Sequence, residues 1–167
     1  MDKNKEELLE NLQELGHFLM HRSMKGLFQF AKKYNLSFSQ LFILSRLKKW
    51  GKASVSEISE MLDISNSAVS QLLDKLVQSR YIERREAPDD RRKKYHYISK
   101  KGEEVLRLSI IARSSWMEEL VVELSEEERA EMIPFLQKLN GKINDLDPLS
   151  HNHCYHRDIN CGEENQC

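Results

Sequence analysis

Between Ser54 and Gly102 the chain changes its hydrophobic period in a fixed order, and few folds can accept that order. Ser54-x-x-Glu57 is a capping box, in which hydroxyl and carboxylate satisfy each other's free amides, and it opens a short helix from about Val55 to Leu62. Asp63-Ile64-Ser65 is a brief turn with an apolar centre, suited to two helices crossing steeply. From Asn66 to about Arg80 the spacing of Val69, Leu72, Leu73 and Leu76 predicts a second helix. The period then falls to two. Tyr81 to Glu86 and Lys94 to Ile98 read as strands, joined through Pro88-Asp89-Asp90 and a basic tip that runs to Lys94. Helix, turn, helix and hairpin together describe a mostly α fold with a small β-hairpin wing, the winged helix-turn-helix.

The flanks are helical. Leu8, Leu12, Leu15 and Leu19 recur at alternating four- and three-residue steps in a helix spanning about Lys5 to Lys33. Ser37-x-x-Gln40 starts a second one, Phe38 to Trp50, with Phe38, Leu41, Phe42 and Leu47 expected inward and Gly51 as its stop. Ser99 can cap a long helix from about Lys100 to Glu123, with Val105, Leu108, Ala112, Trp116 and Leu120 in register. Ser125-x-x-Glu128 opens the last, to about Asp145, bearing Ile133, Leu136, Leu139, Ile143 and Leu146. Pro134 lies inside it, lacks a backbone donor, and predicts a kink. The expected organisation is an N-terminal helix over residues 1–36, a winged lobe over 37–102, C-terminal helices over 103–147 and a polar tail over 148–167.

At 167 residues, with a hydrophobic share of 40% and a charged share of 32%, the chain can bury a core. It has no apolar run of the roughly 18 residues a membrane span needs. The charged start, Met1-Asp2-Lys3-Asn4-Lys5-Glu6-Glu7, does not fit a signal peptide, so a cytoplasmic location is expected. The net charge of −1 hides an uneven distribution. Arg80 to Lys101 holds nine Lys or Arg against four acids, whereas Glu118 to Asp147 holds nine acids against three bases. A basic segment of that kind supplies a phosphate-facing field; the alternative is two solvated faces.

If the wing and second helix share a surface, they suit duplex DNA. Ser65 is the expected N-cap, and Asn66, Ser67, Ser70, Gln71 and Lys75 project away from the apolar side. Gln71 or Asn66 can pair bidentately with adenine, while serine hydroxyls bond phosphate or base edges. In the wing, Arg85, Arg91, Arg92, Lys93 and Lys94 are long cations for a minor groove or its phosphates, and Asp89 or Asp90 can hold an arginine in place.

At these residues the chain resembles the MarR family of multiple antibiotic resistance regulators, over about Ser37 to Asn140. The resemblance is carried by Ser54 to Leu62, Ser65 to Leu76, Tyr81-Ile-Glu-Arg-Arg, Asp90-Arg91-Arg92 and Ile98-Ser99-x-x-Gly102. It implies a DNA-binding transcriptional regulator, more often a repressor, that grips a pseudo-palindromic operator as a homodimer. It also implies dimerisation through the N- and C-terminal helices, which places Leu8, Leu12, Leu15, Leu19, Ile133, Leu136, Leu139 and Ile143 at the interface. A small-molecule, metal or redox signal would change the spacing of the two lobes. Pro134 and the tail depart from the family's pattern.

The tail holds His151, His153, Cys154, His156, Cys161 and Cys167, residue types suited to a transition metal, although no Cys-x-x-Cys pair is present. A polar, unliganded terminus and thiol oxidation are the other readings. His17, His21 and Glu14 are spaced for one helix face but fall opposite the leucine stripe, which suits a solvated face. No cofactor is required by this reading, and an unidentified small-molecule effector is expected. A winged-helix module that binds another protein would need aromatic or aliphatic anchors where this chain has Ser, Asn and Gln. For an enzyme, the chain lacks a Gly-rich phosphate loop or a plausible nucleophile arrangement.

Overall fold

The computed structural model describes residues 2–86 and 93–146. Six helices and one hairpin follow in order: α1 Lys3–Tyr34, α2 Phe38–Trp50, α3 Val55–Leu62, α4 Asn66–Gln78, β1 Ile82–Glu86, β2 Lys94–Ile98, α5 Lys100–Glu123 and α6 Glu126–Leu146. The mostly helical, hairpin-bearing class expected from the sequence is the one found. The chain divides into two compact units, Lys25–Ala112 and the described parts of Met1–Met24 with Arg113–Cys167. α1 and α5 each contribute to both.

Local chemistry sets where the helices of the first unit begin. At α2 the Ser37 hydroxyl accepts from the Gln40 amide at 3.2 Å, and the Gln40 side chain accepts from the Ser37 amide at 2.9 Å. Ser54 and Glu57 repeat this exchange at α3, with distances of 3.3 and 2.7 Å. Ser65 caps α4 by accepting from the Ala68 amide, and Ser99 caps α5 by accepting from the Gly102 amide.

Stereochemistry sets where three of them end. Asn35, Asp63 and Arg80 all take left-handed backbone angles, with φ of 52°, 52° and 59°. After each, the next amide reaches back to a carbonyl five residues earlier: Leu36 to Ala31, Ile64 to Ser59 and Tyr81 to Leu76. This Schellman closure satisfies the last free carbonyls and turns an apolar residue inward or along the helix end. α2 stops instead at Gly51, where a φ of 77° suits glycine.

The core of this unit joins Ile43, Leu44 and Leu47 of α2 to Ile58 of α3, Val69, Leu73 and Leu76 of α4, Ile82 of β1 and Val105 of α5. Leu41 and Leu47 are buried as expected, but Phe38 and Phe42 are exposed. The buried stripe is Gln40, Ile43, Leu44 and Leu47, spaced i, i+3, i+4, i+7, with Leu41 buried beside it. Gln40 folds back into the capping box and is buried at the head of that stripe. Phe38 packs edge-on against Phe28 instead, at 4.8 Å between ring centres, and Phe42 lies under the Arg46 guanidinium.

β1 and β2 pair antiparallel with Arg84 opposite His96 and Arg85 opposite Tyr95. A further bridge comes from outside the hairpin. Ala53, just before α3, exchanges both backbone hydrogen bonds with His96, at 3.1 and 2.8 Å.

In the second unit the Phe18 and Trp116 rings meet edge to face at 5.8 Å, and Trp116 is buried. Ser125 and Glu128 form the third expected capping box, at the head of α6. α6 runs through Pro134 as one continuous element and has no buried residue in this chain alone. Leu8, Leu12, Leu15, Ile133, Leu136 and Ile143 are all exposed, and Leu19 and Leu139 are half-buried. Leu120, expected inward, is exposed as well. It lies a turn beyond Trp116, after the last residue of α5 that this unit buries.

Candidate nucleic-acid interface

α4 presents two faces because its apolar residues repeat at helical spacing. Val69, Leu73 and Leu76 are buried, leaving Asn66, Ser67, Gln71, Asp74, Lys75 and Gln78 exposed along the opposite side. Ser65 is exposed at the cap, and its hydroxyl lies 3.0 Å from that of Ser67. Ser70, expected to project freely, is half-buried, since it sits at the border of the apolar face. The exposed stripe is uncharged at its leading end. Short hydroxyl and amide side chains there let the helix axis come close to whatever it meets.

The turn before α4 is held by α3 itself, whose Ser59 hydroxyl donates to the Ile64 carbonyl. With Asp63 in the left-handed region, the chain reverses within three residues and leaves the head of α4 exposed.

On the hairpin, side chains alternate between faces. Glu83, Arg85, Tyr95 and Tyr97 share one. Arg85 donates twice to Glu83 Oε2, at 3.2 and 2.7 Å, and its guanidinium lies 4.8 Å from the Tyr97 ring centre. Glu83 thereby raises the already high pKa of Arg85. Lys52 stands over Tyr95 on the same face, at 4.6 Å. Arg85, named from the sequence as a wing cation, is thus already engaged within the hairpin. Lys93 and Lys94 are exposed where the second strand begins. The expected wing residues Asp89, Asp90, Arg91 and Arg92 lie outside the described residues.

Ile82, Arg84, His96 and Ile98 share the other face. His96 is only 2% exposed and its Nδ1 has no hydrogen-bond partner. Burial is the main cause holding its pKa below the ordinary 6.5; the Ala53 carbonyl and Asp74 oppose that shift, and Arg84 adds to it. Sequence reading had placed no role on His96, Arg84 or Asp74. The alternation of the strand marked His96 as facing away from Tyr95 and Tyr97, but nothing local announced its pairing with Ala53.

The base of the wing is tied to α5. Ser99 donates to the Arg80 carbonyl at 2.7 Å while capping α5, and its amide donates to the Tyr81 carbonyl. Lys101 donates to the Ser79 carbonyl at 2.9 Å and lies over the Tyr81 ring. These bonds fix where α4 ends relative to where the hairpin starts.

Among the described residues no three His, Cys, Asp or Glu side chains gather as a metal ion would require. Glu14, His17 and His21 are all exposed on α1. The tail residues His151, His153, Cys154, His156, Cys161 and Cys167 lie outside the described residues. No described helix is long and apolar enough to cross a membrane. In the second unit a concavity of about 660 Å³ is lined by Phe18, Arg22, Trp116, Leu120, Glu119 and Glu123.

A capped helix-turn-helix with a hairpin wing, locked at its base to the following helix, defines a winged helix-turn-helix domain. Residues 36–94 match the family model described as "MarR family", and this winged-helix domain belongs to that family. The HTH-type transcriptional repressor MdtR of Bacillus subtilis is 28% identical over 137 residues, spanning 82% of this chain and 88% of that protein. Among solved structures, YusO of Bacillus subtilis superposes with a TM-score of 0.63 at 27% identity, over 81% of this chain and 96% of its own. A point mutant of S. aureus MepR bound to an oligodeoxyribonucleotide shares the fold, with a TM-score of 0.67 at 22% identity over 79% and 97% of the two chains. The protein is a transcriptional regulator and not an enzyme.

Proposed function

We propose that this regulator binds double-stranded DNA as a homodimer at a pseudo-palindromic operator and represses the genes beside it until a signal intervenes. The observation that carries the reading is α4. Its uncharged, short-chained face of Ser65, Asn66, Ser67 and Gln71 is exposed at the head of the helix, backed by a buried apolar face. Lys75, farther along, and Lys93 and Lys94 at the hairpin supply cations for phosphate. Arg85 and the sequence's Asp90, Arg91 and Arg92 complete the proposed wing contacts. Repressor action accords with the name of MdtR, and DNA as the partner accords with the MepR complex.

Dimerisation is supported by the apolar residues that the second unit leaves uncovered, Leu8, Leu12 and Leu15 on α1 and Ile133, Leu136 and Ile143 on α6. Two recognition helices of such a dimer would engage half-sites about one DNA turn, roughly 34 Å, apart. The signal is proposed to be a small organic molecule, for which the aromatic-walled concavity at Phe18 and Trp116 is of suitable volume.

Selection of bound fragments from genomic DNA, followed by gel shift at several salt concentrations, tests the reading. Tight binding to a few inverted repeats, with affinity falling steeply as salt rises, is the expected result. Equal, weak affinity for every fragment would remove the operator, and no binding even at low salt would remove DNA.

A further inference from the structure

The exposed stripe of α4 carries one anion at its centre. Asp74 lies between Ser67, Gln71 and Gln78 on the helix surface and is exposed. An unpaired carboxylate there would repel the phosphates that the same face is proposed to meet. It is not unpaired. Its Oδ1 is 3.6 Å from Arg84 Nη1, the only ion pair joining α4 to the hairpin among the described residues. The backbone of Arg84 is in turn held by pairing on its strand. It stands opposite His96 in the ladder, and His96 is clasped through both backbone bonds to Ala53 ahead of α3.

We infer that Asp74 and Arg84 form a positioning pair that sets the angle of the wing against the recognition helix, so that both meet one duplex together. The inference rests on the DNA reading proposed above and deepens it. The pair is exposed on both sides, so it adds little to the stability of the free protein. Its effect falls on geometry: one end is fixed to the helix that enters the groove, the other to the strand that leads into the wing. The conventional expectation for a lone carboxylate beside DNA has the opposite sign, because removing a negative charge should tighten binding.

That difference of sign makes the test. Fluorescence anisotropy with a selected genomic duplex at fixed salt would compare the full-length wild type with Asp74→Ala, Arg84→Gln, the double variant and Arg84→Lys. Each of the first two is expected to bind about tenfold more weakly, and the double variant no more weakly than either, as for residues acting as a unit. Arg84→Lys, which keeps the charge, retains most of the affinity. Thermal midpoints stay together across the set. A wild type that binds with Asp74→Ala binding equally well or better overturns the pair alone. A wild type that ignores every duplex at low salt overturns the DNA reading, and the pair's role with it.

Discussion

Gly102 in the first turn of α5 lies against the carbonyl of Tyr81 so closely that a methyl group there would overlap that oxygen. It would also lie 2.8 Å from Ile98 Cγ1. The contact brings α5, the end of α4 and the second wing strand to one point. Ser99 and Lys101 bond the same stretch, through the carbonyls of Arg80 and Ser79.

Gly102→Ala is therefore expected to lower unfolding free energy by about 1–3 kcal/mol, the usual range for overpacking a filled site. Because the obstructing atom belongs to the backbone, no side-chain rotation relieves it. Urea denaturation would register the loss as a lower midpoint at an unchanged slope.

Arg80 holds a φ of 59° at the close of α4. A side chain in that region costs roughly 1 kcal/mol or more, part of which glycine gives back through its greater freedom when unfolded. Arg80→Gly should raise the thermal midpoint by a few degrees while keeping the Tyr81-to-Leu76 bond. A fall in midpoint would mean that the arginine side chain contributes more than its backbone strain costs.

His96 makes stability depend on acidity. Its folded pKa is depressed below 6.5 by burial, so the unfolded chain binds the proton first. The stabilisation is complete above about pH 6.5 and is lost as pH falls below that value towards the folded pKa, at up to about 1.4 kcal/mol per pH unit. His96→Gln, which cannot titrate, should flatten this part of the stability profile. Matching slopes for the two proteins between neutral pH and the carboxylate range would contradict it.

Within the proposed DNA face, Gln71→Ala should weaken operator binding and relax discrimination at one position, by about 1–3 kcal/mol for a bidentate base contact. Lys75→Ala should weaken all duplexes alike and reduce the salt slope by about one. Competition gel shifts across a set of single-base operator variants separate the two behaviours.

The uncovered leucines of the second unit predict concentration-dependent assembly. Leu12→Glu together with Leu136→Glu should shift sedimentation from a dimer to a monomer, and should abolish cooperative occupation of the two half-sites. A dimer that survives both substitutions places the interface elsewhere.

Much of this fold was legible because the relevant chemistry is short-range. Three capping boxes and the Ser99 cap each depend on side chains within three residues of the amides they satisfy, so helix starts could be read directly. The inward face of α2 was misjudged at two positions: Phe38 and Phe42 looked like core by type, but the buried residues are Gln40, Leu41, Ile43, Leu44 and Leu47. Asn35, Asp63 and Arg80 gave no glycine signal for their left-handed ends. The Ala53 rung, the Gly102 contact and the Asp74–Arg84 pair join residues far apart in the chain, and no periodicity announces them. The candidate site was accordingly readable as a list of α4 residues, not as a surface with a charge at its middle and a strand tethered to it.

The three left-handed terminators have a mechanical corollary. α1, α3 and α4 each stop on a closed ring of backbone bonds, so none can gain or shed a turn without breaking that ring. Any rearrangement of this lobe that keeps those rings intact moves the three helices without changing where they end, and the chain between α2 and α3 turns at Gly51.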